Sequence, residues 1–221
     1  MDKFVLEGLK NTLPVVPGLN GKEEYYNFAV LVLLMFVNEE YQFVFEKRAA
    51  NIRQPGEICF PGGKFEPAID TSLQDTAIRE TVEELGVPSD KLQIIGNLDT
   101  VVSTMGATVD AFLGILELGS LDDLFINLQE VEKVFTVPVS HFENNEPEVY
   151  QVSMSAHPSY VNQAGEEVTI FPALELGLPD RYTRPWGNTM SNVFVYRVEG
   201  VVIWGMTARL IKDVVAKLKS L

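Results

Sequence analysis

Three glutamates lie within five residues of one another in the segment 79–86, which reads Arg-Glu-Thr-Val-Glu-Glu-Leu-Gly. At about 100° per residue on a helix, Glu80, Glu83 and Glu84 share one face. The predicted core-facing stripe on the opposite side consists of Ile78, Val82 and Leu85. Two carboxylates about 4 Å apart repel by roughly 4 kcal/mol at an effective dielectric constant near 20. Such a face either spreads its acids into water or binds a cation, and oxygen ligands of this kind favour magnesium or manganese.

A glycine turn precedes the acids, because residues 60–64 read Phe-Pro-Gly-Gly-Lys. Gly62 and Gly63 carry no side chain, so their backbone is able to approach a metal ion or a ligand closely. An ordinary turn is the alternative interpretation. We expect Asp70-Thr71 to cap the helix that follows and Gly86 to end it.

The turn and the helix together resemble the Nudix box, the signature of hydrolases that cleave a nucleoside diphosphate linked to another group. The matching residues are Gly63, Arg79, Glu80, Glu83, Glu84, Gly86 and Val87. Thr81 stands where an apolar residue is usual. Gly63 and Arg79 are two residues further apart than in the generic pattern, and Asp70, not a glutamate, lies between them.

The resemblance carries implications for the site and for the fold. The residues of the implied metal site, which would hold Mg²⁺ or Mn²⁺, are the Gly63 backbone carbonyl and Glu80, Glu83 and Glu84. Arg79 is implied to orient Glu80 in the catalytic site. The implied fold is α/β (α+β), with a mixed β-sheet between helices in an α-β-α sandwich.

The longer spacing resembles the coenzyme A diphosphatase branch of this family, in which Phe-Pro-Gly-Gly leads through an Asp to Thr-Ala-x-Arg-Glu. Here the equivalents are residues 60–63, Asp70 and residues 76–80. The branch also carries an upstream segment with two arginines, which residues 48–57 match with one residue fewer and without its histidine. Further matching positions lie at 96–99, 130–131 and 204–209.

Substrate-binding residues are predicted from the same region. Arg48 and Arg53 are candidates for binding phosphates, because guanidinium groups match phosphate oxygens, although arginines at a strand end are also common on surfaces. Lys64 is a third candidate, for which an ion pair with the acids of the box is the favoured interpretation. Glu130 precedes a predicted strand, and we predict that it is the general base or a metal ligand; a solvated loop acid is the alternative.

Composition limits the possible partners. The net charge of −14 argues against nucleic-acid binding but not against a small phosphate-bearing molecule. Cys59 is the only cysteine, so an intrachain disulfide is excluded, and we interpret it as a packed core thiol in a reducing compartment. The mainly apolar run 26–37 is too short to span a bilayer as a helix. We expect a cytoplasmic protein without a membrane partner, and its oligomeric state is open, a homodimer being usual in similar proteins.

The order of predicted elements suggests one domain over residues 1–221, with an N-terminal helix within about 1–20 and an irregular β-rich insertion at about 141–200. Apolar periodicity predicts helices at 3–13 and 205–218 beside the box helix, which ends at Leu85. The predicted strands 26–37 and 41–46 flank Asn38-Glu39-Glu40 and suggest a hairpin. The other predicted strands are 92–96, 108–116 and 131–137, with shorter β segments at 148–154, 167–171 and 192–198.

These features favour a metal-dependent diphosphatase. By resemblance its substrate is coenzyme A or an acyl derivative, which would give (acyl-)phosphopantetheine and adenosine 3′,5′-bisphosphate. One alternative is a related enzyme that acts on ADP-ribose, NADH or another nucleoside diphosphate derivative. The other is a ligand-sensing domain without turnover, which would be expected to lose acids of the box.

Overall fold

An eight-stranded mixed sheet forms the centre of the structure, a computed structural model that describes residues 2–221. The helices are α1 Lys3–Thr12, α2 Leu73–Leu85, α3 Val139–Asn144 and α4 Gly205–Leu218. The strands are β1 Tyr26–Val37, β2 Glu40–Arg48, β3 Ile58–Cys59, β4 Gly62–Lys64, β5 Leu92–Asn97, β6 Val101–Ser103, β7 Ala107–Leu116, β8 Val131–Pro138, β9 Glu148–Ala156, β10 Ser159–Val161, β11 Glu167–Thr169, β12 Trp186–Val198 and β13 Val201–Trp204.

The central sheet contains one parallel pair of strands. Its strands follow the order β3-β2-β1-β7-β5, while β4 pairs with β1, β6 with β7 and β8 with β2. Strands β1 and β7 are parallel, and the other pairs are antiparallel. The short strand β4 carries the glycine turn, so the sheet fixes that turn against β1.

The hairpin predicted from residues 26–46 is confirmed. Asn38 and Glu39 connect β1 to β2, and both have positive φ, 50° and 68°. A two-residue turn with two left-handed residues matches the twist of the flanking strands. Glu40, which the sequence placed in the turn, already pairs with Val37 in the ladder.

Helices cover both faces of the central sheet. One buried cluster lies between α2 and the sheet and includes Val44, Ala77 and Leu85. The other lies under α3 and α4 and includes Phe45, Phe142 and Ile211. The predicted α+β class, with a mixed sheet between helices, is confirmed.

Helix α2 differs from its prediction in two respects. Its N-cap is Ser72, whose hydroxyl accepts a hydrogen bond from the Asp75 amide, because Asp70 is engaged elsewhere. The buried side of the helix consists of Thr76, Ala77, Thr81, Glu84 and Leu85. The predicted stripe of Ile78, Val82 and Leu85 is therefore wrong by roughly a quarter turn, since Ile78 and Val82 are only half-buried. The rotation turns Glu84 towards the sheet and away from solvent.

Residues 148–204 form two smaller sheets. Strands β13, β12 and β9 form a three-stranded antiparallel sheet, and β10 and β11 form a hairpin. The three predicted β segments of this region overlap β9, β11 and β12. Helix α4 packs against β12 and β13, which ties this sheet to the central one. The division into one domain and an insertion stays a prediction.

The N-terminal helix is formed as predicted but has no buried residue. Asp2 caps α1 by accepting a hydrogen bond from the Val5 amide. Of the helices in residues 2–221, none combines the length and the apolar composition needed to cross a bilayer.

Candidate functional site

The glycine turn lies against the C-terminal half of α2 through Glu84. Glu84 is 3% exposed, and its Oε2 accepts a hydrogen bond from the Gly62 amide at 2.9 Å. A Cβ atom on Gly62 would lie 2.3 Å from the carbonyl oxygen of Ala29 on β1. Only glycine permits this approach, so the turn is held between β1 and the carboxylate of Glu84.

Gly63 is in direct contact with Glu80, the first of the three glutamates of the box. A Cβ atom at this position would lie 2.3 Å from Cδ of Glu80. The Gly63 backbone and the Glu80 carboxylate therefore lie close together, as the predicted metal site requires. Burial raises the pKa of Glu80, and Arg79 partly offsets this shift.

Arg79 links the start of α2 to its acidic face. Its Nε donates to Oδ1 of Asp70 at 2.9 Å, and its Nη2 donates to Oδ2 at 3.1 Å. Its Nη1 lies 2.9 Å from Oε1 of Glu80 and 3.1 Å from Oε2 of Glu83. The hydrogen bonds from Arg79 hold the pKa of the buried Asp70 well below its usual range. Arg79 thus positions Glu80 and Glu83 from a fixed anchor.

Glu46 is a site residue that the sequence reasoning missed. It lies on β2, is 1% exposed, and its Oε1 accepts a hydrogen bond from the Cys59 thiol at 3.2 Å. Its Oε2 is buried without a hydrogen-bond partner in residues 2–221. Alternation along β2 offered a signal, because it places Glu46 on the same side as Val44. That signal becomes informative only when the helix covering this side is known.

Glu46 and Glu84 perturb each other. Burial raises the pKa of both carboxyl groups, and the charge of Glu46 raises that of Glu84 further. The negative charges of Glu80 and Glu130 act in the same direction on each. Burial and the Glu46 charge also raise the pKa of Cys59, which keeps it a thiol, in agreement with its prediction as a packed residue.

Glu130 lies beside this group of acids, as its predicted role requires. Its backbone carbonyl accepts a hydrogen bond from the Ala49 amide at 2.8 Å, which places it at the end of β2. Its side chain is half-buried. Its charge acts on Glu46, Glu80 and Glu84, so a carboxylate from a loop faces the acids of the helix and strand.

The donor types of this site fit a divalent cation. The acid group, defined as Glu46, Glu80, Glu83, Glu84 and Glu130, supplies oxygen ligands and includes one buried oxygen with no partner. Arg79 is the only cation that pairs with it in the part of the chain described. Within residues 2–221, no three acidic, histidine or cysteine side chains already converge at metal-holding distances. Glu80 and Glu83 pair instead with Arg79, and Glu84 with the Gly62 amide.

Of the three candidate substrate-binding residues, Arg48 is hydrogen-bonded to the backbone, whereas Arg53 and Lys64 are exposed. Nε of Arg48 donates to the carbonyl oxygen of Arg53 at 3.0 Å, so Arg48 supports the loop that carries Arg53. The Arg53 side chain is exposed. Lys64 is also exposed, and its Nζ lies 5.5 Å from the centroid of the Tyr26 ring. The predicted ion pair between Lys64 and the box acids is not found, because Arg79 occupies Glu80 and Glu83.

A family model described as NUDIX domain matches residues 26–153 of the chain. Among curated proteins, the chain is similar to the peroxisomal coenzyme A diphosphatase NUDT7 of Mus musculus, at 36% identity over 124 residues that cover 56% of this chain and 50% of the relative. It is also similar to an uncharacterized Nudix hydrolase, NudL, of Photorhabdus laumondii, at 28% identity over 192 residues that cover 86% and 84%. The chain therefore spans only about half the length of the coenzyme A diphosphatase relative.

Solved structures of similar fold include a C. elegans Ap4A hydrolase in a binary complex, with a TM-score of 0.43 and 21% identity over 51% of this chain and 80% of that one. The NUDIX domain of Shewanella oneidensis NrtR, complexed with ADP ribose, has a TM-score of 0.42 and 17% identity over 64% and 86%.

Proposed function

The chain belongs to the NUDIX domain family, and from this premise we propose that it hydrolyses the diphosphate linkage of coenzyme A or acyl-coenzyme A with the help of a bound divalent metal ion. The single observation that carries the proposal is the acid group packed against the Gly62–Gly63 turn. Arg79 pairs with Glu80 and Glu83, and the charge of Arg48 acts on Glu46, but the five carboxylates of the acid group still outnumber these two cations. That is the condition under which a divalent ion and a diphosphate bind together.

The residues of the proposed metal site are the Gly63 carbonyl, Glu80, Glu83 and Glu84. A bound Mg²⁺ or Mn²⁺ would supply Lewis acidity at the phosphoryl oxygens and lower the pKa of water. Arg79, anchored by Asp70, holds the carboxylates of Glu80 and Glu83 in place. Restricting these side chains before substrate arrives reduces the cost of ordering them during the reaction.

Glu130 is our candidate for the general base. Water attacks one phosphorus atom, the bond from that phosphorus to the bridging oxygen breaks, and the water proton passes to the base. With coenzyme A the products are phosphopantetheine and adenosine 3′,5′-bisphosphate, and an acyl group stays on the phosphopantetheine. The nearness of Glu130 to Glu80 and Glu84 supports this role, since the charge of Glu130 raises the pKa of both.

The loop 49–57 is our candidate for binding the ribose phosphate. Arg48 supports this loop from β2, and the Arg53 side chain is exposed on it. Coenzyme A carries a 3′-phosphate that ADP-ribose and NADH lack. A guanidinium group is suited to that phosphate because it donates two parallel hydrogen bonds. Relatives named as coenzyme A diphosphatases support this choice of substrate.

A hydrolysis screen tests the function. The purified chain is assayed with Mg²⁺ and Mn²⁺ on coenzyme A, acetyl-coenzyme A, ADP-ribose and NADH, and we expect metal-dependent release of adenosine 3′,5′-bisphosphate from the first two. A preference for ADP-ribose or NADH would contradict coenzyme A as the proposed substrate and favour the alternative substrates. No turnover of any compound would favour a ligand-sensing domain.

The Arg53→Ala variant tests the substrate class. We expect KM to rise about tenfold for coenzyme A and to change little for dephospho-coenzyme A, because only the former offers the 3′-phosphate to Arg53. Arg197→Ala, which removes an exposed arginine paired with Glu148 in the sheet of residues 148–204, is the control. Equal effects of Arg53→Ala on both substrates would remove the proposed contact.

The cellular setting and assembly stay predictions. The matched relatives include proteins named as peroxisomal and as mitochondrial. The predicted cytoplasmic location therefore needs direct measurement by cell fractionation. The homodimer prediction needs a measurement of mass in solution.

A further inference from the structure

Glu46 lies outside the Nudix box, on a strand that precedes it by more than ten residues. It is 1% exposed, and its Oε2 has no hydrogen-bond partner in residues 2–221. A buried carboxylate oxygen without a partner is costly and requires an explanation. Asp70 is also buried, but four hydrogen bonds from Arg79, Thr76 and the Glu66 amide surround it.

The strand directs Glu46 towards the box helix. Side chains alternate along β2, and Val44 packs in the cluster that contains Ala77 and Leu85 of α2. Phe45 packs in the cluster on the opposite face of the sheet. Glu46 follows Val44 by two residues, so it approaches α2 from the sheet side. Its charge acts on Glu84, and those of Glu80 and Glu130 act on it.

Cys59 orients Glu46 without neutralising it. Glu46 and Cys59 are directly opposite each other in the pairing of β2 with β3. The thiol donates to Oε1 at 3.2 Å, which fixes one oxygen and leaves Oε2 without a donor. A thiol is a weak donor and adds no positive charge. The carboxylate therefore stays available to a cation that would lie among the glutamates.

We propose that Glu46 is a further metal-holding residue of this site, which contributes a carboxylate oxygen from the sheet while Glu80, Glu83 and Glu84 contribute theirs from α2. Cys59 is its positioning residue. The inference rests on the proposed metal-dependent function. The metal site would thus combine a residue of β2 with the residues of the box.

Binding of Mn²⁺ by the full chain in the absence of substrate tests the inference, with free Mn²⁺ followed by electron paramagnetic resonance. We expect Glu46→Gln to weaken Mn²⁺ binding by tenfold or more. The matched control is Glu40→Gln, which removes the same charge from the other end of β2, where Glu40 accepts a hydrogen bond from Ser140. This control is expected to bind Mn²⁺ as the parent chain does.

The outcomes separate the inference from the proposed function. A parent chain that binds no Mn²⁺ overturns both. Mn²⁺ binding by Glu46→Gln within twofold of the parent, together with a loss in Glu84→Gln, overturns the inference alone. Thermal unfolding of metal-free Glu46→Gln shows whether it is folded, and we expect a Tm at or above that of the parent; a lower Tm would indicate that Glu46 is needed for the fold and overturn the assignment.

A second variant separates the roles of Glu46 and Cys59. Cys59→Ala removes the thiol donor but leaves the carboxylate, so we expect a smaller loss of Mn²⁺ affinity, of about twofold to fivefold. A loss as large as that of Glu46→Gln would make the thiol itself the ligand and overturn the positioning role.

Discussion

Asp70 and Glu84 are buried carboxylates at opposite ends of the same helix, and the pKa shifts of their carboxyl groups have opposite directions. Asp70 contacts Arg79 through two hydrogen bonds, and its pKa is lowered. The Glu84 carboxylate accepts a hydrogen bond from the Gly62 amide, and burial, together with the charge of Glu46, raises its pKa. Burial raises the pKa of both carboxyl groups; it prevails at Glu84, whereas the hydrogen bonds from Arg79 outweigh it at Asp70.

The difference distinguishes a structural ion pair from a site that lacks a cation. Around Asp70 the charges already balance, and the pair fixes the start of α2. Around Glu46 and Glu84 they do not, and buried like charges persist only where something else compensates them. The region in which the negative charges are least compensated thus coincides with the proposed metal site.

The largest expected effect comes from Glu84→Gln. The amide oxygen still accepts the Gly62 hydrogen bond, so the turn stays in place, but a carboxylate is lost from the acid group. Turnover should fall by about 10²–10³-fold. Steady-state kinetics measure this, with far-UV circular dichroism as the check on folding. Full activity in this variant would show that Glu84 is structural, as Asp70 is.

Asp70→Asn should have the largest effect on folding. The substitution removes the buried negative charge that pairs with Arg79 and leaves Arg79 beside Glu80 and Glu83. The free energy of unfolding should fall by about 3 kcal/mol. Urea denaturation measures the loss. Asp75→Asn, at a partly exposed position in the first turn of the same helix, is the control and should change stability much less. An equal loss in the two variants would contradict the anchoring role of Asp70.

The pH dependence of the metal-free protein sharpens the comparison. The pKa of Glu46 is raised from 4.5 to about 7 by burial, so the folded state holds a proton that the unfolded state has lost in this range. The contribution of Glu46 to the free energy of unfolding is fully present below the pKa that Glu46 has in the unfolded chain. This contribution is lost as the pH rises through the pKa of Glu46 in the folded protein. We expect Glu46 to contribute a decline on the order of 2 kcal/mol between pH 5 and pH 8, to which Glu84 adds because burial raises its pKa as well.

Glu46→Gln is expected to flatten that decline, since it removes a group that must ionise in a buried position. Urea denaturation at several pH values, with the chain freed of metal by a chelator, measures it. Asp70 gives the opposite sign, because a lowered pKa contributes stability that is lost only under strongly acidic conditions. If the free energy of unfolding of the metal-free parent chain rose from pH 5 to pH 8, the raised pKa of Glu46 would be refuted.

The smallest effect is expected for Gly63→Ala. The new methyl group meets the carboxylate of Glu80, the movable end of a side chain, so the fold should persist while the carboxylate is displaced. We expect turnover to fall about tenfold, equivalent to about 1.4 kcal/mol. Gly62→Ala is the contrast, because its methyl group meets the backbone of β1 and should reduce the free energy of unfolding itself. Unchanged turnover in Gly63→Ala would separate Gly63 from the site.

Local patterns in the sequence identified most of the elements. The turn at Asn38, the end of α2 at Gly86, and helix α4 from Gly205 are all found as predicted. Each depends on a few neighbouring residues, whose backbone preferences act over one or two turns of chain. The same reasoning predicted an amphipathic α1, which forms but has no buried residue, because amphipathicity defines a face and not its partner.

By itself, the sequence determined that Glu80, Glu83 and Glu84 lie close together, because helical periodicity alone places them on adjacent turns of α2. Only the tertiary structure decided that the buried face of α2 is rotated by roughly a quarter turn from the predicted one. It also decided that Glu84 is buried and that Glu46 approaches Glu84 from β2. Lys64 was likewise assigned to ion pairs that Arg79 makes instead. The physical reason is the distance along the chain over which each property is set. Backbone geometry depends on adjacent residues, whereas the burial and the pKa of a side chain depend on groups that folding brings close. Glu46 and Glu84, for example, are 38 positions apart in the sequence.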